Sequence, residues 1–226
     1  MTAPANFDGA SPVIRPDDAA LLLIDHQTGL FQTVADMPLP TLRRNVTVLA
    51  RMAAKVHMPV VTTASVPQGP NGPMIPEIHE IAPHATYVAR RGEVNSWDCQ
   101  DFLDAVKATG KKQLIIAGTI TSVCMAFPAL SAVAEGYQVF CVVDASGTYS
   151  KQAQEITMAR IVQAGIVPID TPAVVSEVQK TWHRDDAMDW MAIWSEMFPN
   201  YQLLVDSHAR AQEAERTHEP LDSERD

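Results

Sequence analysis

Three short runs of uninterrupted apolar residues constrain this chain more than anything else in it. They are Ala19-Ala20-Leu21-Leu22-Leu23-Ile24, Leu114-Ile115-Ile116 after Gln113, and Val139-Phe140-Cys141-Val142-Val143 after Gln138. A strand with one face in water alternates apolar and polar residues, whereas a run apolar at every position needs cover on both faces, as inside a parallel sheet. Weaker runs at 59–63, 86–89 and 166–169 bring the expected strands to six. Helical periodicity fills the gaps. Leu42, Val46, Leu49, Ala53 and Val56 form one stripe in a helix that Thr41 can cap. Short helices are expected over 75–81 and over 99–108, the second capped by Asp98 and stopped at Gly110. Met125, Leu130, Val133 and Ala134 recur at helical spacing up to Gly136, and another helix is expected over 152–164. The alternation predicts right-handed βαβ units and an α/β fold: a doubly wound, six-stranded parallel sheet with helices on both faces. Further helices are expected from Thr171-Pro172 and over 182–198. The expected organisation is an N-terminal arm over 1–16, one domain over 17–205, and a charged tail over 206–226. Apolar periodicity is lost from about Ala209, so the tail is expected to be frayed or disordered.

Charge narrows the partners. Acidic residues outnumber basic ones 27 to 17, for a formal net charge of −10, so there is no basic field to attract nucleic acid or anionic lipid. No apolar run reaches membrane-spanning length, and residues 1–16 lack the basic and apolar regions of a signal peptide. The three cysteines, Cys99, Cys124 and Cys141, are odd in number and unpaired in spacing, as expected of a reduced cytoplasmic protein.

Two residues at strand ends carry the candidate chemistry. Cys124 follows the strand at 113–116, where a helix is expected to begin, and a thiol at a helix N-terminus ionises more easily than a free one. The alternative is a cysteine that fills space, since unpaired cysteines are among the most buried residues. Asp25 ends the first strand. In the common strand order 3-2-1-4-5-6 the sheet reverses between strands one and four, which brings Asp25 and Cys124 face to face where ligands bind. An Asp opposite a thiol is a candidate general base, although an Asp after a strand is also a common cap or turn residue. Cys99 is the rival nucleophile, but Asp98 beside it repels a thiolate; Cys141 lies within a strand. The seven histidines are dispersed without ligand spacing, so no metal is expected, and His26 is expected to pack or hydrogen-bond locally.

The segments Leu22-Leu23-Ile24-Asp25-His26-Gln27, Arg90-Arg91-Gly92-Glu93-Val94-Asn95-Ser96-Trp97 and Gly118-Thr119-Ile120-Thr121-Ser122-Val123-Cys124 resemble those of the isochorismatase-like cysteine hydrolases. Thr62-Thr63 followed by Gly69-Pro70-Asn71-Gly72-Pro73, Asn95-Ser96-Trp97-Asp98 and Phe127-Pro128-Ala129-Leu130-Ser131-Ala132 resemble the YcaC-like branch. The resemblance implies an Asp–Lys–Cys triad with Asp25 as base and Cys124 as nucleophile. The lysine position falls on Arg90, with Arg91 beside it, and no lysine lies between Lys55 and Lys107. It further implies a cis Thr119–Ile120 peptide and an oxyanion hole from the N–H groups of Ile120 and Cys124. Gln27, Asn71, Trp97 and Phe127 are the expected pocket residues. The Asp-x-His metal cluster of nicotinamidases is missing after strand two, which implies no metal and no cofactor. The expected activity is hydrolysis of a small amide or related C–N bond through a thioester, by a homo-oligomer that the resemblance implies to be an octamer. The alternatives are an isochorismate-type vinyl-ether hydrolase and a non-catalytic oligomer that retains the fold.

Overall fold

In the computed structural model, which describes residue 7 and residues 10–219, the uninterrupted apolar runs become neighbouring strands. The chain alternates β1 (Ala19–Ile24), α1 (Thr28–Phe31), α2 (Leu39–Lys55), β2 (Val60–Ser65), α3 (Glu77–Ile81), β3 (Thr86–Arg90) and α4 (Gln100–Ala108). It continues through β4 (Gln113–Gly118), α5 (Ala126–Ala134), β5 (Gln138–Val142), α6 (Lys151–Gln163), β6 (Val167–Ile169) and α7 (Thr171–Gln179). The six strands form one sheet in the order β3-β2-β1-β4-β5-β6, and every pairing is parallel. Every residue of β1 and β4 is buried, as a strand covered on both faces requires. After β1 the chain builds outward through β2 and β3, then returns to lay β4 on the other side of β1. Ile24 pairs with Gly118, so the segments leaving β1 and β4 emerge side by side at the reversal.

Gly118 is what lets the next segment fold back. A Cβ there would stand 2.8 Å from the carbonyl carbon and oxygen of Cys124, closer than any side chain tolerates. Helix starts differ from the sequence expectation at several points. α2 begins at Leu39, with Pro38 at its N-cap and Pro40 in its first turn, because the fixed φ of proline suits a first turn. α4 begins at Gln100 rather than after a cap at Asp98. A 3-10 turn over Ser96–Asp98 precedes it, and there the Asn95 side chain accepts the Trp97 N–H at 3.1 Å.

Contacts divide the chain into two compact units, Met1–Trp182 and His183–Asp226. The second holds α8 (Ala187–Met197) and α9 (Tyr201–Thr217). Trp194 stacks on Phe198 with ring centroids 5.8 Å apart, and the Arg184 guanidinium lies 4.9 Å from the centre of the Trp190 ring. The tail expected to be frayed from about Ala209 is helical as far as Thr217, and the boundary expected at 205 falls inside α9. Ala, Gln, Glu and Arg favour helix without an apolar stripe, and Gln202 donates to Asp206 at 2.8 Å one turn on. Residues 1–6 of the expected arm, with 8–9, and residues 220–226 lie outside the described residues.

His26 is fully buried beside the reversal. Its Nε2 donates to the Ala145 carbonyl at 2.9 Å, and Nδ1 has no partner among the described residues. Burial pushes its pKa down to about 4, against the opposing hydrogen bond to Ala145. The folded protein therefore refuses a proton that the unfolded chain takes up near pH 6.5. The resulting stability is fully present above that pH and is lost as pH falls toward 4, in total about 3 kcal/mol. Urea unfolding at about pH 7.5 and about pH 4.5 tests this: His26→Gln should lose about 2 kcal/mol less on acidification than the parent. An equal loss in both proteins would assign the acid sensitivity to other groups.

Candidate active site

Asp25 leaves β1 with φ 57°, a left-handed conformation that sharply redirects the chain, while its N–H still donates to the Thr63 carbonyl at 2.9 Å. Its carboxylate accepts the Ser65 N–H at 3.0 Å and takes Arg90 Nη2 on both oxygens. Arg90 is the last residue of β3, opposite Ser65 in the register, and its side chain is 0% exposed. All of its donor nitrogens are engaged: Nη2 by Asp25, Nη1 by the Glu93 carbonyl, and Nε by Thr63 Oγ1 at 3.1 Å. Thr63 in turn donates to the Val88 carbonyl at 2.7 Å, which leaves its lone pairs for the guanidinium. Arg91 is exposed, and only its backbone N–H takes part, donating to the Glu93 carboxylate at 2.8 Å.

Cys124 arrives through an irregular turn. The Thr119–Ile120 peptide bond is cis, and Thr121–Met125 form a π-type turn before α5. Ser146 and Gly147 anchor this turn: Thr119 Oγ1 donates to the Ser146 carbonyl at 2.7 Å, and the Thr121 N–H to that of Gly147 at 2.9 Å. The N–H groups of Val123, Cys124 and Met125 converge on the Ile120 carbonyl at 3.1, 2.8 and 3.4 Å. The Cys124 N–H is therefore occupied in the turn and does not stand free as the second oxyanion donor that the resemblance implied. The Ile120 N–H instead lies on the sulfur side and favours the Cys124 thiolate.

The resting thiol is held up, opposite to the expected lowering. Burial is the largest cause, followed by the charge of Asp25 and the hydrogen bond to its carboxylate; the Ile120 N–H and Arg90 oppose them. The helix argument fails because α5 starts at Ala126, after the cysteine, and the intervening N–H groups are spent on Ile120. Cys141, inside β5, is pushed up by burial alone. Cys99 is buried in the same apolar cluster as Trp97 and Phe102.

Asp25, Ile120 and Cys124 border a cavity of about 430 Å³. Its walls are largely apolar, from Leu30, Val66, Pro70, Val94 and Val123, with Ser65, Asn71 and Glu93 as polar groups. Of the expected pocket residues, only Asn71 lines it. Gln27 is fully buried and ties the loop together, donating to the carbonyls of Ser65, at 3.1 Å, and Gly72, and accepting the Ser65 N–H at 3.0 Å. Trp97 lies in the core, edge-on to Phe102 and Tyr137, with its indole N–H on Glu135 at 2.7 Å. Phe127 packs against that core beneath the Arg160 guanidinium. The loop after β3 reaches the cavity only at residues 92–94 and is buried by Ser96, which is why its tryptophan misses the pocket. Glu93 stood within a recognised segment without a role, whereas Leu30 and Val66 had no sequence signal at all. Among the described residues no group of three or more His, Cys, Asp or Glu is placed to hold a metal ion.

The family model described as Isochorismatase domain matches residues 19–173. The chain belongs to the isochorismatase family of hydrolases. Within the family it is YcaC-like: it is 44% identical to the "Probable hydrolase YcaC" of Escherichia coli K12, over 87% of this chain and 95% of that one. The crystal structure of the E. coli YcaC gene product, described as an octameric hydrolase of unknown specificity, superposes with a TM-score of 0.86. The match is at 42% identity and covers 89% of this chain and 98% of that one. YcaC from Pseudomonas aeruginosa, solved with hexane-2,5-diol and covalent acrylamide, gives 0.85 at 44% identity, over 87% and 97%.

The electrostatics of this isochorismatase-family site predict an inverted response to loss of the carboxylate. Asp25→Asn removes the charge that opposes the thiolate and leaves the Arg90 cation unneutralised beside it, so the Cys124 thiol should ionise at lower pH. Iodoacetamide labelling of Cys124 against pH, read by peptide mapping, should show its midpoint moving down by about one unit or more. A midpoint unmoved or raised would overturn this account of the thiol.

Proposed function

We propose that the protein is a metal-independent cysteine hydrolase that cleaves a small amide or related C–N bond through a thioester. The observation that carries this reading is one cavity bordered by a thiol, by the Asp25 carboxylate that opposes its ionisation, and by Ile120, whose N–H favours the thiolate. Because the resting thiol is held protonated, the proton leaves as the substrate is attacked: Asp25 accepts it while Cys124 Sγ forms a bond to the carbonyl carbon. The Ile120 N–H then passes from the sulfur to the oxyanion of the tetrahedral adduct. Collapse breaks the C–N bond, Asp25 returns the proton to the departing amine, and water activated by the same carboxylate hydrolyses the thioester. Arg90 takes no part in proton transfer, since guanidinium stays charged near neutrality; it fixes Asp25 and balances its charge.

The covalent acrylamide in the Pseudomonas relative supports a site of this fold that admits a small amide and holds a reactive nucleophile. The octameric E. coli relative supports a homo-oligomer of the same order for this chain. Three free cysteines support a reducing, cytoplasmic setting.

A panel of small primary amides assayed with a chelator present tests the reading. Turnover should survive the chelator and vanish in Cys124→Ala. Arg90→Ala should lose on the order of a hundredfold or more, and Arg90→Lys should retain a larger share, because a fixed charge survives there. Removing one partner of a buried ion pair costs about 3–5 kcal/mol, so folding of each variant is checked by thermal melting before its rate is compared. Turnover that persists in Cys124→Ala, or that needs added metal, would overturn the proposal.

A further inference from the structure

The charged groups around the cavity are of one sign. Asp25 and Glu93 border it, and no lysine, arginine or histidine lines it among the described residues. Arg90 is close by, but its side chain is fully buried and its donors are spent on Asp25, Thr63 and the Glu93 carbonyl. Its charge balances Asp25, and with its donors spent it offers no hydrogen bond to a ligand. Glu93 is different. Its carboxylate oxygen Oε2 accepts the N–H groups of Arg91 and Gly92 at 2.8 and 3.1 Å, and it makes no ion pair among the described residues. Those hydrogen bonds hold it ionised, with its own N–H the largest cause and those of Arg91 and Gly92 and the nearby Arg90 charge adding to it, while desolvation opposes. Its backbone is pinned in turn by the Arg90 guanidinium. The wall between Glu93 and the sulfur is apolar, from Val66, Val94 and Val123, and contains nothing to neutralise an incoming anion.

We propose that Glu93 makes this cavity selective against anionic substrates, so that the compound cleaved is a neutral or cationic small amide without a carboxylate or phosphate group. The inference rests on the reading of Cys124 as the nucleophile. It also weighs against an isochorismate-type substrate, which is itself an anion. A second carboxylate entering the cavity meets the like charge of Glu93, whose carboxylate faces solvent, so the repulsion is screened and salt-sensitive and disfavours its entry by a few-fold.

A matched pair of reagents tests this without requiring turnover. Iodoacetamide and iodoacetate alkylate a thiolate by the same displacement of iodide and differ mainly in charge. The ratio of their rates at Cys124, taken at one pH, cancels the fraction of thiolate. That ratio should exceed the one measured for N-acetylcysteine by a few-fold, and should fall toward it in about 1 M salt, as repulsion from a solvent-exposed carboxylate requires. Glu93→Gln, which can still accept the Arg91 and Gly92 amides, should lower the ratio severalfold. Val94→Lys places a cation on an exposed wall residue and should lower it as well, independently of the fold around Glu93. On the amide panel, Glu93→Gln should raise kcat/KM for succinamate relative to propionamide, chiefly through KM. A ratio equal to that of the free thiol, or one untouched by both variants, would overturn the inference. Absence of turnover on every amide would instead overturn the proposed hydrolysis, while the alkylation ratio still decides the charge preference.

Discussion

The buried pair between Asp25 and Arg90 is the interaction on which the site depends. Two charges with almost no solvent access are tolerable only when they neutralise each other and their remaining polar atoms are satisfied. Here the satisfaction is close to complete: the carboxylate takes the Ser65 N–H and the thiol, and the guanidinium takes Thr63 and the Glu93 carbonyl. Those partners come from the ends of β1, β2 and β3 and from the loop beyond, so the pair locks three strand ends at the edge of the sheet reversal. The left-handed backbone at Asp25 persists because Thr63 and Ser65 fix both its amide and its carboxylate.

That lock decides how the thiol is activated. A cysteine at a free helix N-terminus rests as a thiolate, but this one sits in a turn whose amides close on Ile120, faces a carboxylate, and is largely dry. The resting state is therefore a neutral thiol against a neutralised ion pair. Such a site keeps the sulfur protonated and so less open to oxidation; in the proposed hydrolysis the proton would leave only when a carbonyl is positioned against the Ile120 N–H. Charge separation is then confined to the moment of attack, in a cavity whose apolar walls strengthen each electrostatic contact.

The sheet was legible because its signal is dense. Runs such as residues 19–24 carry no polar position, and only a strand covered on both faces explains them, so six strands alternating with helices led to the observed order. Asp25 and Cys124 were legible as strand-end residues that this order brings to one place, and Arg90 only through the family resemblance. What failed depends on a turn of the backbone. Whether the Cys124 amide is free is decided by a π-type turn that leaves no mark in apolar spacing, and the direction of the thiol shift follows chiefly from burial and the Asp25 carboxylate. Trp97 and Glu93 lie four residues apart on one loop, and nothing in their types says which enters the core and which the cavity. α9 was missed because it buries none of its residues, so there was no stripe to find, only helix-forming composition.

Arginine at a position where the family resemblance places lysine ties two properties of the site together. An ammonium is a point charge and would balance Asp25 without a fixed fork of donors. The planar guanidinium spreads its donors over Asp25, Thr63 and the Glu93 carbonyl, and so holds the segment after β3 in one conformation. In that conformation Glu93 lines the cavity, with its carboxylate capping the Arg91 and Gly92 amides. The side chain that neutralises the base thus also fixes the loop that leaves the cavity negative. A lysine would free the Glu93 carbonyl or the Thr63 hydroxyl and loosen that loop, so under the proposed function arginine would set substrate charge preference as well as balance Asp25.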